Sequence, residues 1–187
     1  MKKKRCGWCE GDALYETYHD EEWGVPVRDD ATLFEFLILE TFQAGLSWIT
    51  ILRKREYFRE AFDQFDLKKI ANYNQEKIDM LLLDKGIVRH KLKINASISN
   101  AKAFIKIQDE FDSFSNYIWG FVNNQPITNK VVDYKKAPTT TALSDLISKD
   151  LKKRGFKFTG STVMYAFMQA VGIVNDHELN CYRYEDI

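Results

Sequence analysis

The 187-residue chain lacks any apolar run approaching the roughly 20 residues that a membrane-crossing helix needs. The basic start, Met1 to Arg5, is not followed by the apolar segment of a signal peptide. The expectation is a cytoplasmic protein, or one in another DNA-containing compartment, with no membrane partner. Neither sign of charge is in excess: 27 Lys and Arg face 27 Asp and Glu. That excludes a histone-like binder held by bulk charge and leaves room only for a local basic face. Lys2 to Arg5, Arg53 to Arg55 and Lys152 to Lys157 are the candidate runs, each also readable as solvated surface. Three cysteines make no even disulfide framework, so they read as thiols or metal ligands in a reducing compartment. Repeats and low-complexity tracts are absent. The length favours one domain spanning 1–187, or two closely packed lobes, and a monomer.

Hydrophobic residues make up 45% of the chain and charged residues 29%, as in a globular protein that buries roughly 70% of its unfolded surface. Helical spacing dominates, and the fold is expected to be mostly α. Asp30 can cap a helix carrying Leu33, Phe34, Leu37 and Ile38, and Ser47 one carrying Ile49, Leu52 and Tyr57. Asn74 can cap a helix to Leu83, with Gly86 ending it. Further helices are expected over about Lys91 to Gln108, Ser113 to Val122 and Thr141 to Arg154. A last one carries Val163, Phe167, Met168 and Val171. Asn123 to Pro138, which holds two of the three prolines, reads as an extended loop with room for one short strand.

All the cysteines and two of the three histidines lie near the termini. Cys6 and His19 stand at one end and His177 and Cys181 at the other, the latter pair spaced as one helical turn. Two thiolates and two imidazoles form a closed set suited to structural zinc. Cys6-Gly7-Trp8-Cys9 leaves two alternatives: a redox pair, or Cys9 in place of His19 as a ligand. Unrelated core residues are the plain reading. His90, after Arg89 in a basic turn, reads as a surface or phosphate-facing residue rather than a ligand.

Glu40 follows Leu33 by seven and Leu37 by three, which puts a carboxylate in an apolar stripe. An unpaired buried carboxylate costs several kcal/mol or more. It therefore has a structural partner or waits for one from a ligand. Aromatics make up 14% of the chain, and Trp8, Tyr15, Tyr18, Trp23 and Trp48 cluster in sequence around these residues. Rings beside one acid suit a flat, cationic, N–H-donating ligand, although each ring alone also reads as core.

These segments resemble those of the constitutive 3-methyladenine DNA glycosylase family of the helix-hairpin-helix superfamily. The match runs through Cys6-Gly7-Trp8, Tyr18 to Pro26, Leu39-Glu40, Gln43 to Thr50, Gly86 to His90, Phe121 to Asn123, Lys153 to Phe158 and Asn175 to His177. The resemblance implies a helix-hairpin-helix bundle whose termini are tied by one structural zinc on Cys6, His19, His177 and Cys181, with Cys9 an extra thiol. It implies a base pocket of Trp8, Tyr18 and Trp48 around Glu40, the expected catalytic residue, and acceptance of hydrogen bonds from the adenine N6 edge fits that place, with Glu40 as a base or as a recognition and electrostatic group. It places a wedge at Gln43, Gly45 and Leu46, and a phosphate-binding hairpin at Thr159, Gly160 and Ser161. The implied partner is double-stranded alkylated DNA, and the implied reaction is monofunctional hydrolysis of the 3-methyladenine glycosidic bond. The hairpin here departs from the superfamily in lacking Gly-x-Gly. The family lacks the superfamily's standard catalytic Asp, and Asp176 stands as a candidate for charge stabilisation. The rival readings are a zinc-stapled nucleic-acid-binding module without catalysis, and a zinc hydrolase, which would need an open metal position.

Overall fold

A computed structural model describes residues 3–187, so Met1 and Lys2, the start of the first basic run, lie outside the described residues. Within them the chain is mostly helical. The helices are α1 (Ala13–Glu21), α2 (Asp30–Gln43), α3 (Trp48–Ala61), α4 (Leu67–Ala71), α5 (Gln75–Leu83), α6 (Lys91–Phe111), α7 (Phe114–Gly120), α8 (Ala142–Lys153) and α9 (Ser161–Ala170). Two short strands, β1 (Ile127–Thr128) and β2 (Val174–Asn175), pair in parallel, Ile127 opposite Val174. None of the described helices is long and apolar enough to cross a membrane.

Local capping chemistry explains most helix starts. Asn74 accepts from Lys77 N–H, Ser113 from Asn116 N–H, and Thr141 forms a reciprocal box with Ser144. Each such cap contributes about 0.5–2 kcal/mol. Three expectations are corrected. Asp29, not Asp30, caps α2 by accepting from Thr32 N–H at 2.8 Å. Asp30 instead accepts from Phe114 N–H and Ser115 N–H, both at 2.8 Å, and so caps α7 from a distance. Ser47 precedes α3 but makes no side-chain cap, its hydroxyl meeting Thr50 Oγ1 instead. Asp84, rather than Gly86, closes α5.

The core runs through α2, which packs on α3, α6, α7 and α9. Leu33, Phe34 and every residue from Phe36 to Phe42 are buried. A helix buried nearly all round belongs at the centre of its domain. Glu40 is therefore enclosed, and the stripe expected from the sequence understated how much of this helix is covered. Phe34 packs on Phe104, and Phe42 on Phe58 and Phe62, at ring-centroid separations of 4.9–5.7 Å. Each such buried ring contributes about 1.5–3 kcal/mol by transfer alone.

The ends of the chain meet beside this core. Tyr182 N–H donates to Lys4 O, Val27 N–H to Val171 O, and Gly24 N–H to Gln169 O. Gly172 makes that closure possible. Its φ of +71° suits glycine, and a Cβ there would lie 2.5 Å from Gly24 O, Val25 C and Pro26 N.

The basic runs are largely spent on structure. Arg5 pairs with Glu16 and Asp20, Arg53 with Asp12, and the buried Arg55 with Glu22 and Glu35. Arg154 pairs with Glu110 and Asp150, while Lys152, Lys153 and Lys157 remain exposed.

Candidate functional site

A cavity of about 240 Å³ opens beside α2. Trp8, Tyr18, Glu40 and Trp48 line it together with Tyr15, Trp23, Gln43 and Asp176. A cavity of roughly 150 Å³ already accepts benzene, so this one has room for a bicyclic base. Trp8 meets Tyr15 and Trp23 edge-on at 4.8 and 5.0 Å, and Tyr18 lies 5.6 Å from Trp48. Rings that brace one another in this way hold flat walls in fixed positions.

Glu40 is 3% exposed, and no ion pair or hydrogen bond reaches its carboxylate among the described residues. The structural partner allowed by the sequence is therefore missing. Burial alone pushes its pKa from the ordinary 4.5 up to about 8. Burial, followed by the nearby Glu40 charge, also raises Tyr18 well above the usual tyrosine range. Trp48 Nε1–H, in the same cavity wall, is buried without an acceptor among the described residues. An unmatched acceptor and an unmatched donor in one cavity are complementary to a ligand that brings both. Asp176 is different. Its oxygens accept from Asn129 Nδ2 at 2.6 Å, Tyr165 OH at 2.6 Å and Gln169 Nε2 at 2.7 Å. Glu40 is thus the acid left with lone pairs to offer.

Sequence reasoning missed Tyr134, Ala137, Ala166 and Gln169 in the wall. Gln169 left a trace, being a polar residue beside Met168 and Ala170 in the apolar second half of α9. Tyr134 left none. It stands in the irregular segment after β1, held there by Glu178, whose Oε1 accepts from Tyr134 N–H and Oε2 from Gly7 N–H.

The cavity continues into an outer chamber lined by Gln43, Ala44, Gly45, Pro138, Thr139 and Thr162 among others. Gln43, Gly45 and Leu46 form an exposed turn at its edge, Leu46 being 38% exposed. Thr159, Gly160 and Ser161 lie outside the cavity lining, where the turn after α8 enters α9. Gly160 is the N-cap and supplies no side-chain cap, and the buried Thr159 Oγ1 has no partner among the described residues. Ser161 Oγ is engaged by Ser144 Oγ at 2.8 Å.

Behind the aromatic wall, Cys6, His19, His177 and Cys181 converge with their ligand atoms all within 4.8 Å of one another, and all four are buried. Cys6 Sγ lies 3.5 Å from His177 Nδ1, and Cys181 Sγ 3.4 Å from His19 Nε2 and 3.6 Å from His177 Nδ1. Those are the edge lengths, roughly 3.3–3.8 Å, of a tetrahedron with Zn–S near 2.3 Å and Zn–N near 2.0 Å. The rings are oriented from outside. His19 Nδ1 meets Asp20 at 2.9 Å and His177 Nε2 meets Trp23 O at 3.2 Å, leaving His19 Nε2 and His177 Nδ1 facing inward. Burial raises Asp20, but hydrogen bonds from Arg5, His19 and Tyr182 outweigh it and hold the carboxyl well below its usual range. The hydrogen bond between the two thiols raises Cys6 and lowers Cys181, so one thiolate forms readily there. The residues fit a tetrahedral metal. His177 and Cys181 meet through the turn after β2 rather than across one helical turn, which corrects that expectation. Cys9 stands apart, its thiol donating to Cys6 O and pushed by burial up to about 12.

A family profile described as methyladenine glycosylase matches residues 8–184. The DNA-3-methyladenine glycosylase 1 of Escherichia coli (strain K12) is 50% identical over 181 residues, covering 97% of each chain. The DNA-3-methyladenine glycosylase of Haemophilus influenzae is 50% identical over 177 residues, 95% of this chain and 96% of that one. Among solved structures, a 3-methyladenine DNA glycosylase I superposes with a TM-score of 0.93 at 50% identity, covering 96% of this chain and 98% of that one. A variant of a 3-methyladenine DNA glycosylase I in complex with 3-methyladenine superposes at 0.92 with 36% identity, covering 95% and 96%.

Proposed function

The chain belongs to the methyladenine glycosylase family, and from that premise we propose that it hydrolyses the N-glycosidic bond of 3-methyladenine in alkylated DNA. The free base is released and an abasic site remains, which is the first step of base-excision repair. The observation that carries this reading is the unpartnered, buried Glu40 carboxylate in an aromatic cavity of base size.

Methylation at N3 gives the adenine a positive charge while it is still attached to the sugar. As the C1′–N9 bond breaks, its electron pair moves to N9. The base leaves neutral, the sugar becomes oxocarbenium-like, and water adds at C1′ with loss of a proton. Such a leaving group needs no general acid. The protein's work is extraction, recognition and charge stabilisation. Trp8, Tyr18 and Trp48 clasp the extruded ring. Glu40 accepts from the N6 amino group, which draws the carboxylate into its ionised form beside a cationic base. Guanine would bring a carbonyl to that edge and leave Glu40 facing another acceptor. In this reading Glu40 selects the substrate and stabilises its charge, without relaying protons to water. No lysine stands in the cavity lining among the described residues, which accords with hydrolysis without a covalent imine.

Double-stranded DNA is the proposed partner of a monomeric, cytoplasmic enzyme. Leu46, presented by Gln43 and Gly45, would fill the gap left in the stack. The turn between α8 and α9 is read as the superfamily hairpin. Thr159, Gly160 and Ser161 stand at the α9 N-terminus, whose free N–H groups and dipole suit a phosphate. Residues 1–187 are read as one domain whose helical lobes flank the cleft. Zinc is the proposed metal, held by Cys6, His19, His177 and Cys181. Four protein ligands make its contribution structural, which disfavours the hydrolase reading.

The test is incubation with methylated duplex DNA and chromatography of the released bases. Release of 3-methyladenine by the native chain and its loss in Glu40→Gln, with fold and metal content intact, is expected. No released base from the native chain would leave only a non-catalytic binding module.

A further inference from the structure

Lys93 poses a problem that the mechanism above does not use. It lies in the first turn of α6, is 6% exposed, and has no ion-pair partner among the described residues. Burial lowers its pKa from the ordinary lysine value. Glu40 offers it no compensation, since the Glu40 shift has burial as its single cause. A buried ammonium without a counter-charge is costly, and an apolar side chain of the same length would avoid that cost.

What the lysine supplies instead is a two-point grip. Its Nζ donates to Phe42 O, in the last turn of α2, at 2.9 Å and to Ala44 O, at the C-cap, at 2.8 Å, where a cation also meets the negative end of the helix. Those carbonyls flank the start of the Gln43–Leu46 turn. Ala44 has φ −49° and ψ 114°, Gly45 has φ +86°, and Leu46 N–H donates to Gln43 O at 2.7 Å, which together define a type II β-turn. Gln43 Nε2 closes the turn a second time by donating to Leu46 O at 2.6 Å. The turn is otherwise exposed, so Lys93 is what ties it to the body of the protein from below.

We propose that Lys93 is a positioning residue for base extraction: it sets the Gln43–Leu46 turn in the orientation that carries Leu46 into the duplex. The proposal rests on the reading of that turn as the wedge. Lys93 touches neither base nor sugar and acts only through the turn.

The test compares Lys93→Met, Lys93→Arg, Leu46→Ala and the Lys93→Met/Leu46→Ala double variant in two assays, binding of free 3-methyladenine and single-turnover excision from methylated duplex DNA. Lys93→Met should bind the free base within about twofold of the native chain yet excise roughly tenfold or more slowly, with little further loss on adding Leu46→Ala. Lys93→Arg, which keeps the charge and the donors, should recover most of the rate. If Lys93→Met does not fold, Lys93→Gln takes its place in the same comparison. Native-rate excision by the Lys93 variant alongside impaired Leu46→Ala would overturn the role of Lys93. So would equal losses in both assays, which would mark a purely structural residue. Native-rate excision by Leu46→Ala would instead overturn the wedge reading, and the ground for Lys93 with it.

Discussion

Glu40→Gln should make the protein more stable while abolishing its recognition of the base. In the folded chain the Glu40 pKa stands at about 8 against the ordinary 4.5, through burial. Between those values the folded state holds a proton that the unfolded state has released, so this group's contribution to stability falls as pH rises. The slope is about 1.36 kcal/mol per pH unit. Allowing for partial titration at both ends, the native chain loses about 3 kcal/mol from this group between about pH 5 and about pH 7.5. Glutamine has nothing to titrate, and every other group is common to both proteins and cancels in the difference. Urea titrations at several pH values would measure this. The stability advantage of Glu40→Gln should grow by about 3 kcal/mol over that range, or roughly 6–12 °C in Tm for a chain of this size. Parallel curves for the two proteins would refute the claim that Glu40 sits buried and unpartnered. The same sign applies to function. Binding a base that donates N–H to the carboxylate requires loss of the proton, so affinity for 3-methyladenine should rise with pH toward about 8.

Other changes test other parts of the molecule. Cys181→Ser removes one ligand of the proposed zinc site and should lower metal content and cost about 3 kcal/mol or more of stability, read as a Tm drop of roughly 6–12 °C alongside metal analysis; a variant with native metal content and stability would remove the staple. Gly172→Ala places a Cβ 2.5 Å from three backbone atoms at a φ of +71°, and should cost roughly 3 kcal/mol or more in urea unfolding. Trp48→Ala should weaken free-base binding by about 1–3 kcal/mol, as loss of one stacking surface does, with calorimetry as the measure.

The sequence carried the helices wherever a cap met an apolar spacing, as at Asn74, Ser113 and Thr141. It did not reveal α1, because the buried residues of that helix are Tyr18 and His19 rather than aliphatics, and its one large aliphatic, Leu14, is exposed. Nor did it reveal α4, which is a single short turn from Leu67 to Ala71. Asp29 and Asp30 show why caps mislead: the two carboxylates are adjacent in the chain, and only the packing of α7 against α2 decides which helix each serves. The chemistry of the candidate site was more legible than its enclosure. Glu40 stood out as a charge among apolar residues, and the terminal Cys and His pairs stood out by type. Tyr134 and Ala137 join the wall only because β1 and β2 pair across a long stretch of chain, and a two-residue strand leaves no periodic signal. The grip of Lys93 on α2 was equally hidden, since a lysine early in a helix reads as solvated until its neighbours are known.

The central claim is that a lone buried acceptor reads the amino edge of the base. The most direct measurement compares the affinity of the native chain and Glu40→Gln for 3-methyladenine and for 3-methylhypoxanthine, which differ at that edge by an amino group against a carbonyl. The expected result is that the native chain prefers 3-methyladenine by roughly a hundredfold or more and that Glu40→Gln loses most of the preference. Equal affinity of the native chain for the two bases, or an undiminished preference in the variant, would contradict it.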